Sequence, residues 1–238
     1  MKVIFVTGTA GAGKSLLTSK LKEYYAKNAT FPITLNLDPG VASLPYSPDI
    51  DVRDYIDLNS LMEQYELGSN GSLIMANDLI ATKIDDIQKE ADTINPDYLI
   101  VDTPGQIELF AYRQSGPFFV NEFIAEEKMN LFLFDGTMVS TPENFVSLTL
   151  LSTSISDLIQ EKLEKVLSWS GTDSQLEADL AGEVNGDTFS LISDMLSSLN
   201  RHDFQQDLIP VSNATGDGMV NLQSALSRTI NLGEEIED

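Results

Sequence analysis

One stretch constrains this chain more than any other: Gly8-Thr9-Ala10-Gly11-Ala12-Gly13-Lys14-Ser15. It follows the short apolar run Val3–Val6 and leads into Ser15–Lys27, where Leu16, Leu17, Leu21, Tyr24 and Tyr25 recur on roughly one helical face. A glycine-rich turn between a strand and a helix aims successive backbone N–H groups and a helix N-terminus at phosphate oxygens. Lys14 adds a point charge at the β- and γ-phosphates, and the Ser15 hydroxyl is placed for Mg²⁺. The stretch therefore predicts a βα unit built around a phosphate cradle.

The rest of the chain repeats that alternation. Further strands are read at Ile33–Leu37, Tyr98–Val101, Leu131–Phe134 and Ile209–Val211, with helical patterns between them. Apolar runs of this kind belong to a sheet covered on both faces. The expectation is an α/β, three-layer P-loop NTPase fold with a mainly parallel central sheet, forming one domain over residues 1–238. Pro39–Pro48 reads as an irregular loop, and Asn59–Tyr65 and Asn77–Ala91 as helices flanking a Gly-Ser-Asn-Gly turn, an insertion at about 59–91. A second insertion, polar and acidic, is read at about 170–187.

Composition narrows the function classes. The chain has 238 residues, 42% of them apolar, enough for a substantial core. Its net charge of −23 repels phosphate backbones and anionic lipid, so neither nucleic acid nor a membrane is an expected partner. It has no cysteine, which excludes disulfides, thiol catalysis and cysteine-ligated metals, and its one histidine, His202, sits in a polar stretch. The N-terminus opens on an apolar strand without a signal-peptide pattern, and no apolar run reaches membrane-spanning length. A soluble, cytoplasmic protein is expected.

Two strand ends carry further chemistry. The strand at Tyr98–Val101 delivers Asp102, followed by Thr103-Pro104-Gly105-Gln106. Asp102 is the expected second Mg²⁺ ligand, directly or through water; Gly105 N–H is expected to face the γ-phosphate and Gln106 an attacking water. Asp38 follows the second strand at the edge where doubly wound sheets bind ligands. It either starts an Asp-Pro turn or orients or deprotonates that water.

Lys14-Ser15, Asn36-Leu37-Asp38-Pro39, Leu44-Pro45-Tyr46-Ser47-Pro48-Asp49-Ile50-Asp51-Val52-Arg53-Asp54-Tyr55, Tyr65-Glu66-Leu67-Gly68-Ser69-Asn70-Gly71 and Asp102-Thr103-Pro104-Gly105-Gln106-Ile107-Glu108 together resemble the GPN-loop GTPases. The resemblance runs over roughly residues 1–150 and resumes near Val211. It implies an archaeal-type homodimer that binds GTP or GDP with Mg²⁺ and hydrolyses GTP. In that family an inserted Gly-Pro-Asn loop reaches the γ-phosphate end of the partner's nucleotide. The asparagine corresponds to Asn70, while Ser69 stands at the proline position, where a fixed φ is lost. The resemblance implies nucleotide contacts from Gly11, Ala12, Gly13, Lys14, Ser15, Leu16 and Gly105. It implies Mg²⁺ ligands Ser15 and Asp102, and catalytic roles for Asp38, Gln106, Asn70 and Lys14. Eukaryotic members act in RNA polymerase assembly, so a protein client of that kind is a possible partner by family analogy.

The base-reading end departs from the pattern. Thr82-Lys83-Ile84-Asp85 matches the usual guanine motif but lies ahead of the Mg²⁺ strand, within a predicted helix, and is set aside. Family order puts the base-reading carboxylate at Asp157, yet no lysine stands two residues before it and Glu143–Leu167 reads as uninterrupted helix. Either base recognition is lost along one long helix, or a strand-bearing stretch of about a dozen residues is missing between about Ser152 and Asp157. The second is favoured, because a sheet stripped of a core strand leaves its neighbour's backbone groups unpaired. Ser212, Asn213 and Ala214 resemble the loop whose backbone meets the guanine. A P-loop kinase, which would need an arginine-rich lid, and a nucleotide-holding scaffold without turnover are the rival functions.

Overall fold

Alternation along the first strand sorts its side chains onto two faces. In β1 (Lys2–Gly8), Val3 and Phe5 enter one core cluster and Ile4 and Val6 the other. β4 (Tyr98–Asp102) divides in the same way, with Leu99 and Val101 on the first side and Ile100 on the second. Strands buried on both faces need a helical layer over each. The computed structural model, which describes residues 1–135, 144, 147–148, 151–152, 165–167, 209–213 and 215–234, shows both layers.

With β2 (Pro32–Asn36), β3 (Ile50–Asp51), β5 (Glu127–Leu133) and β6 (Lys165–Leu167), the strands form one sheet in the order β3-β2-β4-β1-β5-β6. Every pairing is parallel. The helices are α1 (Lys14–Lys27), α2 (Leu58–Tyr65), α3 (Ser69–Ile80), α4 (Ile84–Ile94), α5 (Ile107–Phe110), α6 (Ser115–Glu122) and α7 (Met219–Glu234). α1 and α7 cover one face through Leu17, Leu21, Tyr25, Leu222 and Leu226. The insertion helices and α6 cover the other through Leu61, Ala76, Ile80, Ile84, Ile87 and Phe119. No described helix is long and apolar enough to cross a membrane.

Register sets the stage for the site. Asp102 pairs with Val6 on one side and with Asn36 on the other, so β2 and β4 end abreast of Val6, two residues before β1 does. β1 ends at Gly8, whose φ of 142° and lack of a side chain admit the Leu133 carbonyl where a Cβ would overlap it.

Several expectations are corrected. The Gly-Ser-Asn-Gly segment is not a turn between helices: α2 ends at Glu66 in a left-handed conformation, Gly68 caps α3, and Ser69 and Asn70 lie in its first turn. Asn77–Ala91 is not one helix; a 3₁₀ turn at Ala81–Lys83 separates α3 from α4. There Thr82 Oγ1 donates to the Leu79 carbonyl, a local side-chain bond that competes with the helix ladder. Leu16, read on the apolar face of α1, is 37% exposed. Ile209–Val211 forms no strand; its apolar residues pack on the α1/α7 cluster without joining the ladder. Residues 165–167, read as the end of a long helix, are β6, pairing Met129–Leu131 of β5. β6 thus pairs β5 over Met129–Leu131, while the stretch from 153 to 157, where a missing segment is favoured, lies outside the described residues. The acidic insertion at about 170–187 lies outside the described residues.

Candidate phosphate and metal site

The loop between β1 and α1 is shaped by its glycines. Gly11 and Gly13 have φ of 77° and 89°, the left-handed region that glycine enters without Cβ strain, and Gly13 caps α1. Lys14 is only 6% exposed. Its ammonium donates to the carbonyls of Gly8 and Thr9, both at 3.0 Å, and to that of Gly105 at 3.2 Å. Burial pulls its pKa below the usual lysine value, against the charges of Asp102, Asp38 and Glu108. A cation so placed, beside the open N-terminus of α1, suits an anion entering the loop.

Asp102 faces this loop from β4 and is 2% exposed. Tyr46 Oη donates to its Oδ2 at 3.0 Å. Burial pushes the carboxyl above the usual range, opposed by hydrogen bonds from Ser15 and Tyr46 and by the charge of Lys14. The other oxygen, Oδ1, is buried and has no hydrogen-bond partner among the described residues. Leaving such an acceptor unpaired costs about 1–3 kcal/mol, which a bound cation would relieve. A serine hydroxyl and one carboxylate are hard oxygen donors of the kind Mg²⁺ takes together with substrate phosphates. Among the described residues no three His, Asp or Glu side chains cluster, so the set resembles a phosphate-completed site rather than an all-protein cage. The residues fit Mg²⁺.

Asp38 is held from behind. Asn36, fully buried at the end of β2, accepts the Asp38 N–H on Oδ1 at 3.0 Å and donates to the Asp38 carbonyl at 3.1 Å. Asn36 also donates to Asp51 Oδ1 at 2.9 Å, and Arg53 binds both oxygens of Asp51 at 2.5–3.0 Å. Burial would raise the Asp51 carboxyl, but the bonds from Arg53 and Asn36 outweigh it and hold it below the usual range. Arg53 further donates to the Val41 carbonyl at 3.0 Å, fixing the loop beyond Asp38. The Asp38 carboxylate accepts from Gly40 N–H at 2.9 Å and from Gly105 N–H at 3.1 Å. The Gly105 N–H, expected to face a γ-phosphate, is therefore given to Asp38.

Gln106 is exposed at the N-cap of α5, and among the described residues its side chain has no hydrogen-bond partner. Asn70 is likewise exposed and unpartnered among them. Its helix touches the Asp38 loop, since a Cβ on Gly40 would overlap Leu73 of α3. Asn213 Nδ2 donates to the Gly13 carbonyl at 3.4 Å, which brings the Ser212–Asp217 turn against the start of α1. Ala214 and Asp157 lie outside the described residues. Leu16 turns outward, one residue past the cradle. Tyr46, Asn36, Asp51 and Arg53 were missed as site residues, although three of them stand in the Leu44–Tyr55 stretch quoted for the resemblance.

A family model described as a conserved hypothetical ATP binding protein matches residues 6–232. GPN-loop GTPase 1 of Saccharomyces cerevisiae is 30% identical over 257 residues, covering 97% of this chain and 66% of the yeast protein. GPN-loop GTPase 1 of Dictyostelium discoideum is 34% identical over 174 residues, covering 71% of this chain and 43% of that protein. The chain thus spans 43–66% of the length of these two relatives. The crystal structure of a GTPase in apo form from Pyrococcus abyssi superposes with a TM-score of 0.82 at 21% identity, covering 95% of this chain and 96% of that one. That likeness shows the shared fold.

Proposed function

The chain belongs to the GPN-loop GTPase family, and from that membership and the site's geometry we propose that it hydrolyses Mg²⁺-bound GTP to GDP and phosphate as a homodimeric switch. The observation that carries this reading is the meeting of Lys14, Ser15, Asp102 and Asp38 at one edge of the sheet. Backbone N–H groups of Gly11–Ser15 would cradle the phosphates, with Lys14 supplying charge at their outer end. Ser15 and Asp102 would hold Mg²⁺, which when bound neutralises charge on the phosphate oxygens. Asp38, fixed by Asn36 and Gly40, would accept the proton or hydrogen bond of the attacking water, and Gln106, next to Gly105, would help orient it. No covalent bond to the protein forms; the work is positioning and electrostatics.

Asn70 of one protomer is proposed to meet the γ-phosphate end of the partner's nucleotide. Its support is position: an exposed amide on the first turn of α3, where backbone N–H groups also favour anions. Asn213, packed against Gly13, makes the 212–217 turn the proposed neighbour of the base. A place among cytoplasmic assembly factors, with a client such as RNA polymerase, follows from the family alone. The kinase reading loses support, because Arg53 and Arg113 are engaged by Asp51 and Asp78 rather than open to a lid role.

Mixing inactive variants tests the dimeric reading. Lys14→Ala and Asn70→Ala chains are each expected to release little phosphate from GTP. Co-refolded at equal amounts, they should recover about a quarter of wild-type release, since half the two-fold dimers would carry one site with both residues. An active Asn70→Ala homodimer, or no recovery on mixing, would remove Asn70 from the partner's site.

A further inference from the structure

We infer that Tyr46 is a positioning residue for the metal-binding carboxylate: its phenol pins Oδ2 of Asp102 and thereby leaves Oδ1 as the oxygen offered to Mg²⁺. This rests on the reading of Ser15 and Asp102 as the Mg²⁺ ligands. The two oxygens of an aspartate are chemically alike, and χ2 is a broad, two-fold torsion, so a carboxylate by itself does not fix which oxygen it presents. Here the oxygens are unlike. Oδ2 accepts from Tyr46 Oη at 3.0 Å, whereas buried Oδ1 has no hydrogen-bond partner among the described residues. Ser15, the other donor to this carboxylate, is itself a proposed Mg²⁺ ligand, and at 2% exposure Asp102 has little contact with bulk water, which leaves Tyr46 as the fixed donor.

The tyrosine is itself fixed at both ends of its segment. On the N-terminal side, Arg53 donates to the Val41 carbonyl at 3.0 Å. On the C-terminal side, Asp49 Oδ2 accepts from Thr34 N–H at 2.7 Å, Thr34 Oγ1 at 2.9 Å and Lys22 at 2.6 Å. The segment is thus a strap tied to β2 and α1, carrying one hydroxyl to the end of β4. Partners that orient a metal ligand in this way typically change metal affinity by about 10- to 100-fold when removed.

Tyr46→Phe deletes the hydroxyl and keeps the ring. The probe is a fluorescent GTP analogue, bound to wild type and variant across a Mg²⁺ titration and in excess chelator, with melting temperature recorded alongside. The Mg²⁺ midpoint of the variant is expected to rise about 10-fold or more, with chelator-state affinity unchanged and a modestly lower melting temperature from the lost donor to buried Oδ2. An unchanged midpoint overturns the role of Tyr46, as does a loss of affinity equal with and without Mg²⁺. A wild-type chain whose affinity ignores Mg²⁺ overturns instead the assignment of Ser15 and Asp102.

Discussion

Asp102 carries a charge that its surroundings only partly compensate. Burial raises its pKa, and the bonds from Ser15 and Tyr46 with the charge of Lys14 do not cancel that effect. The folded chain therefore holds this proton more tightly than the unfolded chain does. From the ordinary carboxylate range up to the raised folded value, its contribution makes stability fall as pH rises. Asp102→Asn is accordingly expected to raise the melting temperature at neutral pH while abolishing Mg²⁺-dependent nucleotide binding. A lower melting temperature in thermal unfolding would contradict the charge argument. Lys14, Ser15 and Asp102 were legible in the sequence because each sits at a fixed offset from an apolar strand. Asn36 was not, because a buried asparagine that closes a bond to Asp51 leaves no periodic trace. Tyr46 and Asp102 are likewise joined only by folding, across 56 positions.

At the scale of elements, local signals succeeded where they agreed with the sheet and failed where tertiary pairing overrode them. β1 and β4 announced themselves through apolar runs with a chemical residue at the end. Residues 158–167, with Leu158, Ile159, Leu163, Val166 and Leu167 at helical spacing, read as helix, yet residues 165–167 complete the edge of β5. The Gly-Ser-Asn-Gly stretch misled in the opposite sense: glycines suggested a turn, whereas Gly68 adopts φ −73° and ψ 168° as the cap of a helix. That geometry yields a prediction. Ser69 is the first residue of α3, the position where proline's fixed φ fits and its missing N–H is not needed, and extended Gly68 suits a following proline. Ser69→Pro is expected to stabilise the chain by about 0.4–1 kcal/mol in urea unfolding. Destabilisation would contradict the placement of Ser69 at the helix start.

For the molecule as a whole, the alternation of strand and helix gave the layered architecture, while strand register, which sets Val6, Asn36 and Asp102 abreast, had no counterpart in composition or periodicity. That register turns separate motifs into one site: the loop after β1, the carboxylate of β4 and the braced Asp38 after β2. A net charge of −23 makes such a site unfavourable for a polyphosphate unless local cations and backbone N–H groups answer it. Lys14 with the start of α1 does so here, and bound Mg²⁺ would add to it. ATP binding in the family's description and GTPase in the relatives' names predict different nucleotide preferences. Phosphate release by the purified chain, with GTP beside ATP and with Mg²⁺ or chelator, tests the proposed GTP hydrolysis most directly. The account predicts Mg²⁺-dependent release from GTP in preference to ATP, lost in Lys14→Ala; no release from either nucleotide, or a preference for ATP, would contradict it.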